Sequence, residues 1–209
     1  MLDLNMPTLI ARIFVLVVAF TVHEFAHAWT AVYFGDETPR TQGRLTLNPL
    51  VHLDPIGSLL LLFSGFGWAR PVQVNPWALN RRSPSAMMWV ALAGPVSNLI
   101  LAIIGSLVFR LSPIQPDFTV SGLLPSLGFL FAEFVWINLI LLFFNLIPLA
   151  PLDGEKIAMY LFPPSWQDTL NRIRPYSPMI LLAIVFLAPQ VLGILVGKPA
   201  SFVFHLLLL

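Results

Sequence analysis

The stretch Thr21-Val22-His23-Glu24-Phe25-Ala26-His27-Ala28-Trp29-Thr30 decides the fold. It sets two histidines and a glutamate inside an apolar run from about residue 8 to residue 33. A helix needs about 20 predominantly apolar residues to cross a bilayer, and this run is long enough. Ionisable side chains at that depth are costly and by default mark function. His23 and His27 are four positions apart, so on a helix they share one face, one turn apart. Two imidazoles so placed suit a single zinc ion, and Glu24 beside them can reach a metal-bound water. Zinc lowers that water's pKa to about 7, and a carboxylate can take its proton and hand it on.

The rest of the chain agrees with a membrane setting. Of 209 residues, 57% are hydrophobic and 10% charged, with a mean hydropathy of +0.84. Soluble domains carry about 25% charged residues. The net charge of +1 gives no basis for a nucleic-acid partner. The absence of cysteine removes disulfides, thiolate metal sites and a cysteine nucleophile. Asp3 and the lack of a basic residue before Thr8 argue against a secretory leader. No repeat or long linker divides the chain, so residues 1–209 read as one membrane-embedded domain.

Four stretches are long and apolar enough to span: about 8–33, 86–109, 126–150 and 178–196. Residues 55–69 are short for a span and contain Gly57, Gly65 and Gly67, which suits a re-entrant or interfacial segment. The tail 201–209 is too short to cross alone. With four spans, Arg40, Arg44, Arg70, Arg81, Arg82, Lys156, Arg172 and Arg174 share one side, against Arg110 and Lys198 on the other. Positive charge stays in the cytoplasm, so the first side is cytoplasmic. The period-two stretches 44–47 and 71–74 are candidates for short strands flanking the re-entrant piece. The expectation is an all-α polytopic protein with about four transmembrane helices and a re-entrant, β-hairpin-like segment at 40–76.

A catalytic zinc takes three protein ligands and keeps one position open. Candidates for the third are His52, His205, Glu133, Asp54 and Asp153. Asp153 follows the breaks at Pro148 and Pro151 and precedes Gly154, a sequence that frees a side chain to turn inward. In the four-span arrangement, 8–33 and 126–150 both run toward the cytoplasm, so Asp153 and the histidines approach from one side. Glu133 falls near the far end and reads as a helix-bridging carboxylate. Asp54 reads as a turn former before Pro55, and His205 as unrelated to the site. His52, in Asn48-Pro49-Leu50-Val51-His52-Leu53-Asp54-Pro55, reads as a loop or gate residue.

Three motifs together carry a family resemblance: His23-Glu24-Phe25-Ala26-His27, Gly94-Pro95-Val96-Ser97-Asn98, and Asn145 through Pro151-Leu152-Asp153-Gly154. In order and spacing, over about residues 15–160, the chain resembles the site-2 proteases, the intramembrane zinc metalloproteases of peptidase family M50, and most of all their compact bacterial and archaeal branch. The resemblance implies one zinc per chain held by His23, His27 and Asp153, with Glu24 as catalytic base. It implies a three-helix catalytic core within about 8–160, followed by a C-terminal helix and tail at 176–209, with the site nearer the cytoplasmic face. For Asn98 two roles stand side by side: an amide donor to substrate or oxyanion, which the resemblance favours, and an interhelical hydrogen bond.

The implied activity is hydrolysis of peptide bonds in or next to transmembrane segments of substrate proteins, with the lipid bilayer as surroundings. No inserted PDZ or appended CBS module is seen, and a regulatory partner is compatible with this reading. The rivals are a membrane metal-ion transporter, which needs polar groups through both leaflets, a di-iron oxygenase, which needs more histidines than the four here, and a proteolytically inert membrane-binding protein.

Overall fold

The computed structural model describes residues 5–57, 68–114 and 123–208. The main helices are α1 Met6–Tyr33, α2 Ala86–Leu111, α3 Leu127–Asn145, α4 Asp153–Leu161, α5 Pro164–Ile173, α6 Ser177–Leu187 and α7 Lys198–Leu208. Their starts follow local chemistry. The Asn5 side chain accepts from Thr8 N at 3.0 Å with Pro7 in the first turn of α1, and Ser126 accepts from Phe129 N at 3.1 Å at the start of α3.

Small side chains let the first three helices approach closely. Ala11, Ala19 and Ala28 of α1 and Ala91 and Ala102 of α2 are buried, and Gly105 of α2 lies against Phe134 of α3. Val135, Leu139 and Leu142 of α3 then form a core with Ala102 and with Ala200 of α7. The large exposed side chains along these helices, such as Ile100, Ile104 and Leu107, suit lipid as the surrounding solvent.

Among the described residues, five helical stretches are long and apolar enough to cross a membrane: Met6–Tyr33, Ala86–Leu111, Leu127–Asn145, Pro164–Leu187 and Pro189–Leu208. Three boundaries differ from the sequence expectation. The helix expected over 126–150 ends at Asn145, and residues 146–152 turn instead, because Pro148 and Pro151 offer no N–H to continue the ladder. The helix expected over 178–196 ends at Leu187, where Ala188 leaves helical geometry at φ −136° and ψ 53° ahead of Pro189. The tail is not a separate stub. A short helix at Pro189–Leu192 and a π-helical turn at Gly193–Gly197 lead into α7, giving one helical stretch of 20 residues.

The expected strands at 44–47 and 71–74 do not form a ladder. Among the described residues the pairing is limited to one isolated antiparallel bridge, Leu53 with Ala69. Side chains satisfy that backbone instead: the Arg44 guanidinium donates to the carbonyls of Val51 and Arg70. Arg70 N also donates to the His52 carbonyl at 2.8 Å. Residues 58–67, most of the expected re-entrant piece, lie outside the described residues. Its flanks are held side by side, so the chain returns at Ala69 to the place it leaves at Leu53.

Contacts fix the helix directions. Asn98 of α2 is level with Asn138 of α3, bonded at 2.9 Å. Phe204 of α7 packs on Trp136, and Leu206, two residues on, meets Arg110 at the far end of α2. The stretch Pro189–Leu208 therefore runs antiparallel to α3, away from the Asp153 end. At its far end the Leu206 carbonyl accepts from Arg110 at 3.2 Å. Pro189, and with it the end of α6, lies on the Asp153 side. Lys198, expected with Arg110, falls about midway along that stretch.

Candidate metal centre

His23 and His27 project from the buried face of α1, one turn apart. Asp153 comes to them as the first residue of α4, after the turns at 146–152. Gly154 permits the delivery: a Cβ there would collide with the Leu146 and Ile147 carbonyls. Asp153 Oδ2 stands 3.2 Å from the Nε2 atoms of both histidines, which are 3.0 Å from each other. Among the described residues, this is the one group of three such side chains whose donor atoms could share a metal ion.

The outer contacts determine what those atoms offer. His27 Nδ1 lies 2.7 Å from the Val90 carbonyl, a pure acceptor, so Nδ1 carries the proton. His23 Nδ1 lies 2.7 Å from Asn98 Oδ1, whose amide nitrogen is directed to Asn138 Oδ1 at 2.9 Å. Asn138 in turn donates to the Phe134 carbonyl at 2.8 Å. Both Nε2 atoms are thereby left as lone pairs. The 3.0 Å approach of the two rings is then no hydrogen bond between neutral imidazoles. It is two lone pairs and a carboxylate oxygen converging on one point, an arrangement suited to a shared cation.

The donor set fits zinc. A tetrahedral ion with bonds of about 2.0–2.1 Å holds its ligand atoms roughly 3.3–3.4 Å apart, close to the 3.0–3.2 Å edges of this triangle. Gly94 of α2 keeps the room clear: a Cβ would stand 2.6 Å from His23 Nε2 and overlap His27 Nε2.

The three side chains open on a cavity of about 290 Å³, lined also by Glu24, Val72, Asn145 and Lys156. Glu24 is buried, and its Oε2 accepts from Val72 N at 2.9 Å. Lys156 Nζ lies 3.9 Å from Asp153 Oδ1, the oxygen turned away from the imidazoles. Sequence reasoning gives no role to Lys156, Asn138 or the Val72 N–H. Lys156 has a readable signal, since it stands three residues after Asp153 at a helix start. The Val72 contact depends on tertiary approach and has none.

The remaining sequence candidates lie elsewhere. Asn98 is fully buried, with its amide directed to His23 and Asn138. Of the two roles expected for it, the structure contains the interhelical hydrogen bond, and Asn98 does not line the cavity. His52 is also fully buried, its Nε2 2.8 Å from the Thr46 carbonyl and its Nδ1 without a partner. It sits beside the bridge between Leu53 and Ala69 and outside the ligand cluster. Asp54 accepts from Gly57 N at 2.7 Å, as a turn former does. Glu133 accepts from Arg12 at 3.2 Å, bridging α3 to α1. His205 is exposed on α7.

Comparison with known proteins leads the same way. The model of the family described as peptidase family M50 matches residues 11–120 and 119–188. YwhC of Bacillus subtilis (strain 168), named as a zinc metalloprotease, is 42% identical over 174 residues, covering 83% of this chain and 78% of the relative. Rip2 of Mycobacterium tuberculosis (strain ATCC 25618 / H37Rv), likewise named as a zinc metalloprotease, is 32% identical over 200 residues, covering 90% and 72%. Rip2 of Mycolicibacterium smegmatis is 29% identical over 194 residues, covering 88% and 71%. No solved structure matches the chain.

Proposed function

The chain belongs to peptidase family M50, and on that premise we propose that it is an intramembrane zinc metalloprotease cutting peptide bonds in or next to transmembrane segments of other proteins. One observation carries the reading: two imidazole lone pairs and a carboxylate oxygen meet within 3.2 Å of one another, in a cavity shared with Glu24.

His23, His27 and Asp153 are the residues that would hold zinc. When bound, zinc supplies a Lewis acid that makes water a nucleophile near neutral pH and polarises the scissile carbonyl. Asn98 and the Val90 carbonyl keep the two rings in the ligating tautomer. Glu24 is the proton carrier: its carboxylate takes a proton from the attacking water and delivers it to the leaving amide nitrogen. The Val72 N–H fixes one carboxylate oxygen, leaving the other to face the reaction.

A helical substrate has its carbonyls bonded within the helix and must unwind before cleavage. The segment 71–74 beside the cavity, outside any helix, offers a backbone for the unwound stretch to lie along. Arginine and lysine gather at the Asp153 end, so the site faces the cytoplasmic side of the membrane. The transporter reading has no support in the far half, where Arg12 and Glu133 are paired with each other.

The test is Glu24→Gln with a transmembrane substrate in proteoliposomes. Losing a general base should slow cleavage by about 10²–10⁴-fold, while one zinc per chain is retained. A Glu24→Gln protein that cleaves at the wild-type rate refutes the mechanism.

A further inference from the structure

Asp153 belongs to none of the three packed helices α1–α3. It heads α4, a helix of nine residues, after a turn region broken by two prolines. Such a segment is not rigid by its own hydrogen bonds, yet its first residue must stay within 3.2 Å of two imidazoles. α4 packs along α2, and two further contacts hold it from outside, both from the stretch Pro164–Leu187.

The first is ionic. Glu155, two residues after Asp153, is buried, and its Oε1 meets the Arg174 guanidinium at 2.6 Å. Arg174 lies in the 3-10 turn Arg174–Tyr176 between α5 and α6. The second is apolar. Leu149 and Leu152, the latter directly before Asp153, form a buried cluster with Leu181 of α6, and Ile173, Ile180 and Ile184 pack around it. Asp153 is thus bracketed by a side chain before it and a side chain after it, each fastened to the same outside element.

α6 is the last 11 residues of the stretch Pro164–Leu187, and its buried Leu181 packs on Leu149 and Leu152 at the Asp153 end. Both of its ends lie on the Asp153 side.

We infer that Pro164–Leu187 is a brace for the third metal ligand, and that Arg174 is a positioning residue acting through Glu155 on Asp153. This rests on the reading that His23, His27 and Asp153 hold zinc. Because the brace and the metal both favour one placement of Asp153, their effects are reciprocal: the brace tightens metal binding, and metal binding tightens the brace.

The experiment uses the full chain in detergent micelles, with zinc affinity measured by competition against a chelator and hydrogen exchange followed over residues 174–187. Arg174→Ala should weaken zinc binding by about 10–100-fold, as loss of an outer-shell support does, and Arg174→Lys should recover part of it. In the wild-type protein, adding zinc should slow exchange over 174–187. That second measurement needs no variant and stands even if Arg174→Ala does not fold. Wild-type zinc affinity in folded Arg174→Ala, or exchange at 174–187 indifferent to zinc, overturns the brace. A wild-type chain that binds no zinc overturns the metal reading itself, which separates the two failures.

Discussion

At the scale of single residues, the metal centre is as much a matter of space as of ligands. Gly94 contributes no functional group, yet a Cβ on it would lie 2.6 Å from His23 Nε2. Alanine is a better helix former than glycine by about 1 kcal/mol, but forcing two buried rings aside costs about 1–3 kcal/mol. The imidazoles would have to swing away from Asp153. The expected result of Gly94→Ala is a protein that still folds, with a thermal midpoint at or somewhat below wild type and zinc affinity reduced by about 10-fold or more. Zinc content after dialysis against a chelator, set beside a melting curve, reads both quantities. A Gly94→Ala protein that retains zinc as tightly as wild type would show that the rings have freedom that this packing denies them.

How far the sequence can be read follows from the same residues. His23, Glu24 and His27 are legible because their spacing alone places them on one helical face. Asp153 is legible because a proline-broken turn followed by glycine marks where a carboxylate can point inward. Asn98 is legible in place but not in partner: the sequence leaves a substrate contact and an interhelical hydrogen bond side by side, and its neighbour Asn138 lies 40 positions along the chain. Only the packing of α2 on α3 shows where that hydrogen bond goes.

Helices show a parallel division between what is local and what is not. Hydropathy finds α1 and α2 nearly to their ends and the start of α3, since length and composition suffice for a span. It misplaces the later helices because a run of apolar residues does not reveal where a proline will turn it. Arg12 and Glu133 illustrate the non-local part. Each alone is an ionisable residue in an apolar helix, and together they form a bridge at 3.2 Å between α1 and α3. That bridge is structural. Glu133→Gln should leave zinc content and cleavage rate unchanged. Arg12 remains one-third exposed, with side-chain exposures of 34% for Arg12 and 13% for Glu133, so the loss of stability should be small, about 0.5–1 kcal/mol as for other solvent-reached pairs. Denaturation of the two proteins in one detergent measures the difference. A large fall in bound zinc would instead tie Glu133 to the metal centre.

For the whole molecule, the arrangement of the C-terminal third decides how many times the chain crosses the bilayer. By length and composition Pro164–Leu187 and Pro189–Leu208 both qualify. Packing separates them. α7 and the turns before it run along α3, from the Asp153 end to Arg110, and so cross. α6 packs on Leu149 and Leu152 at the Asp153 end and so does not. The junction at Gln190 consequently lies on the same face as Asp168, with Ser112, just past the end of α2, on the opposite face. The chain has no cysteine, so single introduced cysteines report position without background. In oriented vesicles, Gln190→Cys and Asp168→Cys should react with a membrane-impermeant maleimide from the same side, and Ser112→Cys only from the other. Were Gln190→Cys reached from the side of Ser112→Cys, Pro164–Leu187 would have to traverse the bilayer. It could not then hold both Leu149 and Leu152 on one face and Glu155 through Arg174, and the placement of Asp153 would need another cause.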